Sequence, residues 1–265
     1  MRVFGDFVLK QIQSCAFLFL LIGMLALTKW MPLGALPRYD ALLLGCVALQ
    51  LGMVRLGLET WRDVGVITLF HLLGLGLEIH KIHAGSWSYP EFSYLSVAGA
   101  PLYSGFMYSG VASYICLAWK RFDLELTGWP RLAWTLPLAA LLYVQFFSSG
   151  WTLAHRMLML GLAFVPFLRC WVAFSSGGRR LRMPMPVAYL LIGLMIWIAE
   201  NIATFLGAWQ YPYQAAGWVP VHATKWGSWT LLVLVSVIIV AEYKRITITS
   251  RALAEGLAHS LPRHS

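Results

Sequence analysis

The chain has 265 residues, of which 59% are hydrophobic and 12% charged, and its mean hydropathy is +0.69. That composition excludes an ordinary soluble domain, because the charges fall in short stretches between long apolar runs that leave no room for a sizeable soluble unit. The net charge of +9 comes with no extended basic surface or aromatic platform, which argues against nucleic acid and makes membrane lipids the expected partners.

In chain order, the apolar runs predict transmembrane helices over roughly 12–29, 41–57, 64–81, 97–119, 132–149, 152–174, 186–206 and 224–242, each near the ~20 residues that cross a bilayer. Only Ser148, Ser149 and Gly150 separate the fifth run from the sixth, so seven spans is the alternative to eight. No A-x-A-like cleavage site follows the first run, which reads as an uncleaved span. Cys15, Cys46, Cys116 and Cys170 fall inside apolar runs and read as small buried hydrophobes, without disulfide or metal spacing.

The basic residues give an orientation. With both termini cytoplasmic, fifteen of the 20 Lys and Arg fall in inside segments, among them Lys120, Arg179, Arg180, Arg182 and Lys244. Five fall outside: Lys29, Arg38, Lys81, Arg156 and Lys225. Such a bias fits eight helices in a bacterial inner membrane with both ends inside.

One pattern occurs twice, at an offset of 122 residues. The first copy has Glu78, Gly85, Trp87, Tyr89 and Pro90; the second has Glu200, Gly207, Trp209, Tyr211 and Pro212. The same offset maps the first, third and fourth spans onto the fifth, seventh and eighth, and the second onto the sixth only with a shift of several residues. The expected fold is therefore all-α: a polytopic membrane bundle of about eight helices in two parallel four-helix repeats, 1–122 and 123–245, with a cytoplasmic tail at 246–265.

Both Glu residues fall near the outer ends of their spans. A carboxyl at membrane depth is costly when ionised, and a pair of them can give a proton at one site and take one at another. The plainer alternative is that each satisfies a Trp, a Tyr or the backbone and fixes the outer turn. Histidines gather in sequence around the first copy: His71 lies two helical turns before Glu78, and His80 and His83 follow it. His80 and His83 are candidate metal ligands, although the spacing is not a zinc helix motif and interfacial hydrogen bonding is the simpler role. Lys225 opens the last span, where it either forms a Schiff base, pairs with Glu200 or snorkels.

An acidic residue followed by Gly-x-Trp-x-Tyr in an outer turn, then a Gly and a Pro opening the next helix, resembles the membrane carotenoid cyclases and hydratases. The elements here are Glu78, Gly85, Trp87, Tyr89, Gly99 and Pro101, then Glu200, Gly207, Trp209, Tyr211, Gly217 and Pro220. The acidic pair that follows Pro in lycopene cyclases is replaced by Leu102-Tyr103-Ser104 and Val221-His222-Ala223. In length and hydropathy the chain resembles more closely an uncharacterised family of bacterial multi-pass membrane proteins, a resemblance that covers nearly all of it.

Two functions follow. The first is an enzyme acting on an apolar isoprenoid or other lipid, with Glu78 and Glu200 as proton donor and acceptor and with His222, Tyr103 and Lys225 in support. The second is a proton-coupled transporter or channel for a small solute, using the same two carboxyls. Away from the outer ends the spans carry few polar residues (Gln50, Gln145, Asn201), which favours the enzyme. A structural membrane subunit is a third reading. The residues specify no cofactor.

Overall fold

The computed structural model describes residues 1–148 and 152–260. Among them are nine α-helices: α1 (Arg2–Ser14), α2 (Ala16–Trp30), α3 (Arg38–Arg55), α4 (Trp61–His83), α5 (Ser104–Arg121), α6 (Leu132–Gln145), α7 (Leu153–Phe164), α8 (Met185–Phe205) and α9 (Lys225–Ser260). By length and composition α4, α8 and the Lys225–Ile246 part of α9 could cross a membrane, and α1 and α2, bent by 61° at their junction, make a fourth if counted as one span. α3 is long enough at 18 residues, but Arg38, Asp40 and Arg55 dilute its apolar stretch.

The packing follows small residues. α4 lies along α5 with Gly74 against the Tyr108 ring, and α8 lies along α9 with Gly193 against Thr230. At both positions a side chain would overlap its neighbour, so the glycines set how closely the helices approach. One core of Val66, Ile67, Phe70, Ile115, Leu234 and Ile238 joins α4, α5 and α9. A second, of Phe17, Leu21, Tyr39, Leu42 and Tyr103, joins α2, α3 and the start of α5.

The all-α expectation needs correction. Three strands, β3 (Glu125–Thr127), β4 (Trp171–Ser176) and β5 (Arg179–Pro184), form an antiparallel sheet, and a short hairpin pairs β1 (Ser96–Val97) with β2 (Ala100–Pro101). The β4–β5 hairpin turns at Gly177 and Gly178, both with positive φ (56° and 75°), the conformation that tight two-residue hairpins demand. It also displaces the predicted span 152–174. α7 ends at Phe164, a 3-10 turn carries Pro166, and Trp171 is already in the sheet. At 12 residues, α7 extends about 18 Å, well short of a ~30 Å hydrocarbon core. The tight turn predicted at Ser148–Gly150 lies partly outside the described residues. The segment expected as a tail from residue 246 continues α9 as helix to Ser260.

The two ends of the molecule differ in charge. At one end the Asp63 carboxylate receives Lys120 from α5 (2.6 Å) and Lys244 from α9 (2.9 Å), and with Thr60 it closes a capping box on α4. α1 meets the hairpin at that end: Lys10 donates to Ser175 O, and Asp6 accepts from the Gly177 amide. At the other end, where α4 and α8 stop, lie Lys29, Arg38, Lys81, Arg156 and Lys225. Lys29 donates to Phe205 O, and Arg38 donates to Leu206 O and Gly207 O.

Candidate functional site

Glu78 sits one turn before the end of α4, and Glu200 the same distance before the end of α8. Each helix is stopped by a glycine in the left-handed region, Gly85 at φ 65° and Gly207 at φ 76°. The caps are alike. Gly85 N bonds Ile82 O and Ser86 N bonds Lys81 O; Gly207 N bonds Thr204 O and Ala208 N bonds Ala203 O. This is the Schellman pattern, which only glycine adopts without strain.

The cap turns the chain back beneath the helix and aims Trp87 and Tyr89 at Glu78 and Tyr211 at Glu200. Glu78, 2% exposed, accepts from Trp87 Nε1 and Tyr89 Oη at 2.7 Å each on Oε2, and from Tyr108 Oη at 2.8 Å on Oε1. Glu200, 3% exposed, accepts from Tyr211 Oη on Oε1 and from Trp229 Nε1 on Oε2, both at 2.6 Å. Burial first, then the adjacent Glu78 carboxyl, push the Tyr89 phenol well above its ordinary range; burial and Glu200 do the same for Tyr211. Both phenols therefore stay protonated as donors.

The two return loops touch. Ser88 and Gln210 form a bridge in which each amide donates to the other's carbonyl at 2.9 Å. Trp87 meets Tyr211 edge to face at 5.9 Å. Lys225 Nζ lies over both rings, 5.3 Å from the Trp87 centroid and 4.8 Å from that of Tyr211, an arrangement that attracts an ammonium to the ring faces.

Beside this junction is a cavity of about 130 Å³ lined by Lys81, Tyr108, Arg156, Glu200, Tyr211, Lys225 and Trp229, among others. Lys225 has Glu200, Arg156, Lys81 and Glu78 as its charged neighbours. Tyr108 borders the cavity while its hydroxyl holds Glu78, so Glu78 is one side chain behind the wall that Glu200 forms.

Of the residues chosen from sequence, Glu78, Glu200 and Lys225 come together. Tyr103 does not reach the cavity: fully buried, it stacks on Tyr39 at 5.1 Å and donates to Ala208 O, tying α5 to the second loop. His222 is exposed and packs edge-on to Tyr213. His83 is exposed and bonds Ile79 O, whereas His80 packs against Phe147 with Nε2 buried and unpartnered. Among the described residues no three His, Cys, Asp or Glu side chains come close enough to share a metal ion.

Sequence reasoning did not single out Tyr108, Trp229 or Arg156 for the site. Tyr108 and Trp229 stand 30 and 29 residues after their carboxylates, a near-equal spacing that carries a signal only once the motif is known. Arg38 read as a topology charge, yet its guanidinium holds the carbonyls of Leu25, Leu206 and Gly207 and the Glu91 carboxylate (2.6 Å). A cation on the last carbonyls of α8 complements both the helix dipole and the cap.

The fold and the site together define a mostly helical protein with membrane-length apolar helices and, at one end, a largely apolar cavity with Glu200 and three cationic side chains in its wall. The family described as "Protein of unknown function (DUF817)" matches residues 3–237, and the chain belongs to it. It is 50% identical over 246 residues, 93% of each chain, to "Uncharacterized protein YoaT" of Bacillus subtilis (strain 168). No solved structure matches it. Of the two resemblances drawn from the sequence, the one to an uncharacterised bacterial family is the one the match shows.

Proposed function

We propose that this is a multi-pass inner-membrane protein, made of two pseudo-equivalent units, that moves a small solute across the bilayer coupled to protons. The units are 1–122 and 123–245, with both termini cytoplasmic. Three relationships support the architecture. The caps at Gly85 and Gly207 match, each carboxylate is held by a Tyr 11 residues on, and Ser88 pairs with Gln210 at the motif's own offset. The orientation is supported by charge. The five basic residues expected outside gather at one end, while Lys10, Lys120, Arg180 and Lys244, expected inside, lie at the other.

The observation that carries the transport reading is Glu200 on the wall of a small cavity with three cationic side chains. A carboxyl there can exchange a proton with the cavity contents, and Tyr108, in the same wall, bonds a second carboxyl, Glu78, behind it. The isoprenoid-enzyme reading retains one support, the aromatic surround of Glu78 and Glu200, which an apolar substrate would suit. A cavity of about 130 Å³ is nevertheless smaller than the roughly 300–1,000 Å³ of pockets for drug-sized ligands.

The test is a mass-spectrometric comparison of cells and medium, measured separately. The strains are a deletion strain carrying the wild-type protein and the same strain carrying Glu200→Gln. Transport predicts a solute redistributed between cells and medium with its total conserved. One species lost as another accumulates would favour the enzyme. Identical profiles at equal membrane abundance would reject both.

A further inference from the structure

We infer that the cavity takes a small oxyanion, a carboxylate or phosphate of a few heavy atoms, held by Lys81, Arg156 and Lys225. The inference rests on the reading of this cavity as a solute site and names the chemistry of the solute.

The first argument is a contrast among cations. Elsewhere the half-buried and buried basic side chains have acidic partners: Arg38 with Glu91, Lys244 with Asp63, Lys10 with Asp6. Lys81, Arg156 and Lys225 are half-buried too, and they lie near enough to repel one another. Among the described residues none of the three has an acidic oxygen within 4.0 Å. Clustered like charges with no acidic oxygen in direct contact cost free energy, which a bound anion recovers.

Second, the nearby carboxylates cannot supply that counter-charge by closing in. Both oxygens of Glu200 are taken by Tyr211 and Trp229, and those of Glu78 by Trp87, Tyr89 and Tyr108. Lys225 is drawn to the faces of Trp87 and Tyr211. With both carboxyls ionised, three positive charges face two negative ones, so a single negative charge neutralises the site.

Third, size and lining select the ligand. A volume of about 130 Å³ exceeds what one water needs, ~10–15 Å³ by a comparable measure, yet holds only a small molecule. Gln145 and Ser228 add neutral donors to the wall, suited to oxygens that the cations leave unbonded. Arg156 offers the planar fork that carboxylate and phosphate oxygens match.

The experiment is a titration of the purified full-length protein, in nanodiscs of phosphatidylcholine, followed by tryptophan fluorescence. The probes are sodium phosphate and sodium pyruvate, with sodium gluconate at equal ionic strength as an anion too large for the cavity. The expected result is a saturable response to phosphate or pyruvate and none to gluconate. Lys225→Met and Arg156→Gln should each weaken it by about tenfold or more, while their thermal unfolding stays near that of wild type. A nanodisc arm containing phosphatidylglycerol separates sources. Loss of the response there, recovered at higher phosphate or pyruvate concentration as competition requires, would keep the oxyanion site and make a lipid headgroup its occupant. No saturable response in either lipid, or one unchanged in both variants, would overturn the inference. Binding without any redistribution of solute in cells would leave the oxyanion site standing and reject transport.

Discussion

Ser88 and Gln210, 122 residues apart, exchange both of their backbone hydrogen bonds at 2.9 Å. A reciprocal pair between residues at the same place in the two motif copies is what the proposed two-unit arrangement would produce at a two-fold axis, where residue i meets its own counterpart. The bridge clamps two return loops, and those loops bring Trp87, Tyr89 and Tyr211 to the carboxylates. The site therefore depends on the glycine caps that start each loop.

Substitution at the caps should show this. Gly85→Ala places a side chain at φ 65° with open space around it, whereas Gly207→Ala at φ 76° also meets Arg38 Nη1 at 3.3 Å. Left-handed backbone costs an L-residue about 1–2 kcal/mol. Both variants should unfold at lower temperature in detergent, with Gly207→Ala the lower of the two. Equal stability to wild type in both would show that the caps do not hold the loops.

The two carboxylates should separate by role. Glu78→Ala orphans three donors and Glu200→Ala two, each orphan costing about 1–3 kcal/mol when it stays dry. Glu78→Ala should be the less stable in thermal unfolding. Glu200→Gln keeps most of its hydrogen bonding and should affect solute distribution far more than stability, because Glu200 faces the cavity and Glu78 stands behind it.

Asp40, in the first turn of α3 ahead of its apolar stretch, pins the loop that follows the first motif. Its carboxylate accepts from Ser93 Oγ (2.6 Å), Tyr94 N (2.8 Å) and Leu95 N (3.0 Å). Burial opposes the charged form, but the bonds from Ser93, Leu95 and Tyr94 outweigh it and hold the carboxyl below its ordinary range. A lowered acid contributes stability that is full above its unfolded pKa, near 4, and is lost as pH falls through the folded value. Thermal unfolding of wild type minus Asp40→Asn should be constant above about pH 5 and shrink in more acidic buffer.

Topology is open to direct labelling. In a background lacking the native cysteines, Ser96→Cys should react with a membrane-impermeant maleimide on intact cells, and Arg179→Cys only after lysis. The reverse pattern would invert the orientation. Reaction of both on intact cells would place the hairpin outside and break the proposed count.

Much of the site was legible because its chemistry is local. Glu78, Trp87 and Tyr89 lie within one helix end and its return loop, so a spacing repeated in sequence became the same cap and the same Tyr-to-Glu hydrogen bond in space, whereas the indole bond comes from Trp87 in the first copy and from Trp229, not Trp209, in the second. Lys225 was legible as a residue but not in its role, since the rings it covers come from both motifs. Tyr103 and His222 were chosen by their place after Pro101 and Pro220, and that position points them at Ala208 and Tyr213 instead of the cavity. The sheet was missed for a different reason. The run 152–174 is apolar enough to suggest one long helix, and hydropathy is blind to Pro166 and to the Gly177-Gly178 turn that folds the strand back.

The measurement that tests the central claim most directly is proton movement in proteoliposomes that trap a pH-sensitive dye. An inward gradient of sodium phosphate or sodium pyruvate should acidify the lumen when the vesicles contain the wild-type protein, and Glu200→Gln or Lys225→Met should abolish the effect. Acidification at one rate in empty, wild-type and Glu200→Gln vesicles would contradict a proton-coupled solute site at Glu200.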